Sequence, residues 1–329
     1  LDLLEKRWRT FNYNRPFQLN KNVRASFHDA GHILGSAGVM LETMDKRIFY
    51  TGDVQFEDQT LIPGADLPEK DIDVLIVETT RGASPRDESY NRQQEENDFA
   101  DSINRCLQGG GSVLIPVFAM GKTQEVMAMI HRFKQEGMIP DAPVYIGGLS
   151  TKMSVIFDEF ADSTPRNNPG FRVLKDMEVK TGGRRRKRVP IVYQPGCIYA
   201  LSSGMMTEKT VSNGFARGFM DNPKNALLFV GYADPDSPAG HIRAGKHGDL
   251  INLDPEQPPV QFNCPMNIFD FSGHATRDDL LNYILRVKPS KAILVHGDIA
   301  ATEWFAQQLK DKLPECETII PKPGNKYYL

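Results

Sequence analysis

The feature of the sequence that most restricts the fold is a repeated pairing of a short apolar run with a side chain that can bind metal. Four strand-like runs lead directly into Asp53, Glu78, His274 and His296. A fifth residue of this type, His32, lies in a glycine-rich turn between two apolar stretches. Because strand ends meet at the edges of sheets, the pattern predicts that His32, Asp53 and His296 converge on one pocket. Glu78 and His274 are expected at its rim.

Imidazole nitrogens and carboxylate oxygens are ligands that zinc accepts, and such a set at strand ends is typical of metal-dependent hydrolases. Any one of these residues alone would be interpreted as a turn cap or as the polar end of a strand. Their shared position favours a metal site instead. His28 is close enough in sequence to contact one of the metal ligands without binding the metal itself.

Composition sets outer limits on the function. A chain of 329 residues is too long for one small core and predicts two lobes. A formal net charge of -3 argues against a generally basic nucleic-acid-binding surface. The chain has no run of 18 apolar residues, so no membrane partner is expected. The four cysteines form no Cys-x-x-Cys pair, which excludes a cysteine zinc site and suits a cytoplasmic protein.

The middle of the chain alternates strand-like and helix-like segments, which predicts an α/β fold with a mostly parallel sheet flanked by helices. The first helix of this region is predicted to begin at Ser84-Pro85 and to end before Gly109, and a later one begins near Thr302. The basic run Arg184–Arg188 is interpreted either as a solvated loop or as a loop that contacts phosphate.

The segment Gly121-Lys122-Thr123 follows a strand and opens a helix, so it resembles part of a P-loop. Pro116 stands where that motif needs its first glycine, and proline has no N–H to offer a phosphate, so an ATPase is disfavoured. Lys122 and Thr123 at this helix start, and Ser203-Gly204 at a strand end, could still bind a nucleic-acid phosphate. They could equally form a simple helix cap and a tight turn.

Several motifs together resemble the β-CASP branch of the metallo-β-lactamase-fold nucleases. In chain order they are Ala30-Gly31-His32 with Gly35-Ser36-Ala37, Thr51-Gly52-Asp53, Val77–Gly82, Pro116–Ala119 with Thr123–Glu125, Ser202–Met205, Phe271–His274 and Leu294–Gly297. The resemblance covers nearly the whole chain. It implies a partial αββα metallo-β-lactamase lobe, formed by residues 1–82 and 272–329, and an inserted α/β β-CASP domain at residues 83–271. Substrate would lie in the cleft between the lobes.

The resemblance also implies a role for each residue of the set. His32 would ligate one zinc ion, Asp53 would bridge two, and His296 would ligate the second. His274 would act beside the scissile phosphate as an electrophile or proton donor, and Glu78 would orient it. The residues expected to contact substrate are Lys122, Thr123, Ser203, Gly204 and Ser272.

One motif of the family does not occur in this sequence, namely an earlier His-x-His-x-Asp-His segment that supplies most of the remaining zinc ligands. We therefore expect a partial zinc site, an apolar sheet face left open, and little RNA cleavage by this chain alone. The partner expected besides RNA is that segment, in cis or as a separate polypeptide.

The predicted function is thus zinc-dependent hydrolysis of RNA phosphodiester bonds. The alternative is a non-catalytic RNA-binding or scaffolding subunit with an incomplete metal site. Endonucleolytic or exonucleolytic action, RNA or DNA preference, and homodimerisation are left open by the sequence.

Overall fold

The computed structural model describes residues 8–182 and 190–328, so the basic run Arg184–Arg188 lies outside the described residues. No helix in the described part of the chain has the length and apolar character needed to cross a membrane. The strands are β1 Phe17–Asn20, β2 Val23–Asp29, β3 Ala37–Glu42, β4 Arg47–Tyr50, β5 Val74–Glu78, β6 Val113–Pro116, β7 Val144–Gly147, β8 Lys180–Thr181, β9 Ile198–Leu201, β10 Ala226–Phe229, β11 Leu250–Ile251, β12 Val260–Gln261, β13 Met266–Ile268, β14 Lys291–Val295 and β15 Glu317–Ile319. The helices are α1 Arg92–Gln108, α2 Lys122–Gln135, α3 Ser150–Glu159, α4 Val173–Asp176, α5 Val211–Ala216, α6 Pro238–Ala244, α7 Arg277–Val287 and α8 Ile299–Lys312.

The chain divides into two compact units. The first unit contains the residues up to Asp58, Gly64–Asp87 and the residues from His274 onward. The second unit contains Gln59–Pro63 and Glu88–Gly273. The predicted domain boundaries at residues 83 and 272 stay predictions, whereas the α/β fold class is confirmed.

The first unit is built on a seven-stranded sheet in the order β1-β2-β3-β4-β5-β14-β15. Strands β1 to β4 are antiparallel hairpins, whereas β4, β5, β14 and β15 run parallel to one another. The parallel register places the carboxyl ends of β4, β5 and β14 side by side. Helices α7 and α8 bury Leu280, Ile284 and Phe305 in one core with Leu75 and Leu294 of the sheet. This core fixes the strands whose ends carry the candidate ligands.

The opposite face of this sheet is also apolar. The strand register aligns Phe27, Val39, Tyr50, Ile76 and Ile293 in one row across five strands. Four of these side chains are partly exposed, and Tyr50 keeps 41% of its accessible surface. Sheets with parallel strands usually have both faces covered, so this row marks a surface suited to contact with further polypeptide.

The second unit contains a six-stranded parallel sheet in the order β13-β10-β6-β9-β7-β8. All four residues of β6, β9 and β10 are buried, as the continuous apolar character of these strands predicts for a parallel sheet. A small antiparallel pair, β11 and β12, accompanies it.

Two predicted helix starts are wrong. Helix α1 begins at Arg92 rather than at Ser84-Pro85, because the side chain of Asn91 accepts a hydrogen bond from the backbone N–H of Gln94 at 3.0 Å and caps the helix there. Its predicted end, before Gly109, is correct. Helix α8 begins at Ile299, three residues before the predicted start near Thr302.

The α8 contact with the sheet generates a stability prediction. Phe305 is fully buried, whereas Ile299 on the same helix is 77% exposed. We expect Phe305→Ala to lower the free energy of unfolding by about 3–5 kcal/mol, because it removes apolar contacts and leaves a cavity. Ile299→Ala is the control and should change it by less than about 0.5 kcal/mol. The measurement is urea-induced unfolding followed by circular dichroism, and equal effects of the two substitutions would contradict the described packing.

Candidate metal centre

The turn that carries His32 depends on a glycine. Gly31 has a φ of +64°, and a Cβ added there would lie 2.4 Å from the carbonyl oxygen of Gln55. Both facts exclude a larger residue. The carboxylate of Asp29 accepts a hydrogen bond from the Gly31 N–H at 3.0 Å, which closes the turn directly after β2.

A serine hydroxyl holds the other side of the same turn. Ser36 Oγ accepts hydrogen bonds from the backbone N–H groups of His32 at 3.1 Å and Ile33 at 3.2 Å. The Ser36 carbonyl oxygen also accepts from the N–H of Ala30 at 3.2 Å. The backbone of His32 is therefore fixed from both sides. The sequence motif contained Ser36, but its positioning role could not be inferred from spacing alone.

Asp53 lies between two histidines. It follows β4 by three residues, and its Oδ2 is 3.9 Å from His32 Nε2 while its Oδ1 is 3.1 Å from His296 Nδ1. The two oxygens of one carboxylate thus face imidazoles from two different parts of the chain. The structure brings His32, Asp53 and His296 together.

His274 is held by a buried carboxylate. Its Nδ1 lies 3.1 Å from both oxygens of Glu78, which also accepts a hydrogen bond from the Val54 N–H at 2.7 Å. Burial raises the pKa of Glu78, but the contacts with His274 and other donors outweigh burial and hold that pKa below its ordinary value. Glu78 is only 1% exposed, so its predicted place at the rim is wrong. As the last residue of a strand within the sheet, it lies behind His274.

His296 is positioned by a threonine that the sequence reasoning missed. Thr80 Oγ1 is 3.0 Å from His296 Nδ1 and donates a hydrogen bond to the His296 carbonyl oxygen at 3.1 Å. His296 has a φ of +52°, which few residues other than glycine adopt. The parallel pairing of β5 with β14 brings these two residues together, although they are far apart in the sequence.

The imidazoles of the site face one another across a short distance. Ring centres of His32 and His274 are 4.5 Å apart, and those of His274 and His296 are 6.0 Å apart. One donor atom each from His32, Asp53 and His274 lies within 4.8 Å of the other two. Imidazole and carboxylate donors at this spacing, with a carboxylate behind one imidazole, fit a zinc ion. His28 contacts Ser26 and the ring of Phe49.

The residues predicted to contact phosphate belong to the second unit. Lys122 donates a hydrogen bond to the carbonyl oxygen of Phe271, and burial lowers the pKa of Lys122 to about 8 although Glu125 opposes the shift. The Thr123 hydroxyl is buried and donates to the Phe118 carbonyl oxygen at 2.7 Å, so it is bonded within the second unit, although helix α2 has no side-chain cap.

Among the strand-end candidates of the second unit, Ser203 and Ser272 are partly exposed and Gly204 is buried. Ser203 is partly exposed, with its Oγ 3.3 Å from Thr207 Oγ1, and Gly204 lines a shallow surface depression. Ser272 precedes His274 by two residues and is half-buried.

Two family descriptions match the chain. Residues 123–242 match the Beta-Casp domain, and residues 259–321 match the Zn-dependent metallo-hydrolase RNA specificity domain.

Individual relatives match over nearly all of the chain. An RNase J-like protein of Methanocaldococcus jannaschii is 30% identical over 94% of this chain and 73% of its own length. The probable RNase MJ4 of the same organism is 32% identical over 96% of the chain and 71% of its own length. The transcription termination factor FttA of Methanothermobacter thermautotrophicus is 31% identical, and the chain spans 51% of it.

A solved structure shares the fold at low sequence identity. The crystal structure of a protein of unknown function from Enterococcus faecalis superposes with a TM-score of 0.51 at 14% identity, covering 96% of this chain and 66% of that one. The sequence relatives and the two domain matches agree with the motifs and with the site. The chain belongs to the β-CASP branch of the metallo-β-lactamase-fold nucleases.

Proposed function

We propose that this chain carries the catalytic centre of a zinc-dependent ribonuclease that hydrolyses RNA phosphodiester bonds. The observation that supports the proposal most strongly is the Asp53 carboxylate, which faces His32 with one oxygen and His296 with the other. The comparisons suggest the substrate class, because one matched domain is described as the RNA specificity domain of Zn-dependent metallo-hydrolases and two relatives are named as an RNase J-like protein and a probable RNase.

His32, Asp53 and His296 are the residues that would hold zinc. A carboxylate with two oxygens can bind two cations at once, and Asp53 presents one oxygen to each histidine. Bound zinc would supply a hydroxide nucleophile at neutral pH and would stabilise negative charge on the phosphate. The turn around Gly31 and Ser36 keeps His32 in place, so little reorganisation accompanies binding.

His274 would act as the proton donor. The contact with Glu78 occupies Nδ1 and fixes the orientation of the ring, so the other nitrogen, Nε2, is directed away from Glu78. The Glu78 carboxylate stabilises the protonated imidazole. The proton on Nε2 would pass to the ribose oxygen that leaves when the P–O bond breaks.

The described residues offer fewer donors than two zinc ions need. A zinc ion is usually held by three or four protein ligands, and with His274 assigned as the proton donor, two histidines and one carboxylate remain as ligands for both ions. We propose that the other ligands come from polypeptide outside the described residues, in a segment of the His-x-His-x-Asp-His type. The partly exposed row of apolar side chains from Phe27 to Ile293 is a surface on which such a segment could pack.

The small number of zinc ligands also supports a competing function, in which the chain binds RNA without cleaving it. A chain whose site never binds both ions would serve as an RNA-binding or scaffolding subunit. A protein that is complemented with the ligand segment, loaded with zinc and able to bind RNA, yet never cleaves it, would establish that alternative.

Zinc affinity tests the ligand assignment. Replacing a residue that only supports a metal ligand typically weakens metal binding by about 10–100-fold. We expect His32→Gln and Asp53→Asn to weaken zinc binding by more than this, because both residues are assigned as ligands. Asp45→Asn changes an exposed carboxylate in the β3–β4 turn and should have no effect. Competition with a chelating dye measures the affinities. Unchanged affinity in Asp53→Asn would show that zinc binds elsewhere.

Substitution of His274 separates a proton donor from a zinc ligand. We expect His274→Gln in the complemented protein to retain zinc and RNA affinity while kcat falls by about 10²–10⁴-fold, because proton transfer belongs to the transition state. His247→Gln replaces an exposed histidine of the second unit and serves as the control. Elemental analysis accompanies the kinetics. Loss of zinc from His274→Gln would reassign His274 as a ligand.

A further inference from the structure

The second unit has a shallow depression at the carboxyl end of its parallel sheet. Its lining comes from the last residues of β6 and β10 and from the segments that follow β6, β9 and β10. It consists of Pro116, Phe118, Lys122, Gly204, Phe229, Val230, Gly231 and Tyr232. In open α/β sheets, ligands bind in the crevice outside the carboxyl ends of the strands. The place of the depression in the fold is therefore one where a ligand is expected.

Phe118 forms one wall, and packing and backbone hydrogen bonds position it. A Cβ added to Gly204 would lie 3.1 Å from both the backbone nitrogen and a ring carbon of Phe118, so the glycine allows close packing against this ring. The Phe118 carbonyl oxygen accepts hydrogen bonds from the N–H of Thr123 at 3.1 Å and from its hydroxyl at 2.7 Å. The side chain is still 40% exposed. A large aromatic surface thus stays in contact with solvent on a fixed backbone.

Tyr232 supplies the other aromatic side chain near the surface and is 61% exposed. It follows Gly231, whose carbonyl oxygen accepts a hydrogen bond from the Arg243 guanidinium at 3.1 Å. An added Cβ at Gly231 would meet no atom within 4 Å, so the depression is open at this point. Lys122 also lines the depression, while its amino group donates a hydrogen bond to the Phe271 carbonyl oxygen.

We propose that this depression binds an unpaired nucleobase of single-stranded RNA, with Phe118 as the stacking surface and Tyr232 as the second aromatic wall. The inference rests on the proposed RNA substrate and adds a recognition site for it. Exposed aromatic rings bind bases by stacking, and every base offers a flat face, so the site would be sequence-tolerant. Because the depression is open at Gly231, a planar ring can reach the exposed Phe118 and Tyr232 side chains.

The test measures the affinity of the full chain for a fluorescein-labelled single-stranded oligoribonucleotide. We expect Phe118→Ala and Tyr232→Ala to weaken binding by about 5- to 100-fold each, as loss of one stacked base predicts. The salt dependence of binding should keep its slope, because no charge is removed. Tyr232→Phe should bind like the unchanged protein.

The matched control is Phe160→Ala. Phe160 lies directly after α3 in the same unit and is 49% exposed, which is close to the exposure of Phe118. Its replacement should leave RNA affinity unchanged. If it weakens binding as much as Phe118→Ala does, the effect is a general loss of apolar surface and the inference is wrong.

A ligand lacking one base tests stacking directly. A series of oligoribonucleotides carries one abasic nucleotide at successive positions. The unchanged protein should bind one of them more weakly than the intact oligoribonucleotide. Phe118→Ala should bind that one and the intact oligoribonucleotide with equal affinity. RNA binding that is insensitive to Phe118, Tyr232 and every abasic position would overturn this inference and leave the proposed ribonuclease intact. Absence of RNA binding by the unchanged, zinc-loaded protein would instead overturn the proposed function itself.

Discussion

The site depends on one carboxylate held between two imidazoles that enter from distant parts of the sequence. Asp53 faces His32 across 3.9 Å and His296 across 3.1 Å. This arrangement exists because β4, β5 and β14 are parallel neighbours, so their carboxyl ends lie side by side. The buried contacts of α7 and α8 with the sheet keep those strands together. Packing in the core of the first unit thereby determines the positions of the candidate zinc ligands.

Small polar residues convert this sheet edge into a defined site. Ser36 fixes the backbone of His32, Thr80 contacts His296, and buried Glu78 orients His274. The imidazoles of His274 and His296 thus have side-chain neighbours that limit their rotation, and His32 has a fixed backbone. A preorganised set of donors loses less conformational freedom when a cation binds, which is the advantage of building such a site on strand ends.

Much of this arrangement could be predicted from the sequence, because strand ends are visible as apolar runs that stop at a polar residue. The runs before Asp53, Glu78 and His296 place those residues at neighbouring strand ends, and the family motifs indicate the inserted parallel sheet. The start of α1 was misplaced because Pro85 is a strong local signal, while the cap that decides the start is Asn91. Thr80 lies in the motif Val77–Gly82, but its contact with His296 could not be predicted, because the two residues belong to segments remote in sequence.

The central claim is that Asp53 and His32 form the core of a zinc site. The most direct measurement is an anomalous difference map at the zinc absorption edge, from crystals of the protein grown with zinc. The account predicts a peak within about 2.0–2.2 Å of an Asp53 oxygen and of the His32 imidazole. A zinc peak at some other group of residues, with none beside Asp53, would contradict it.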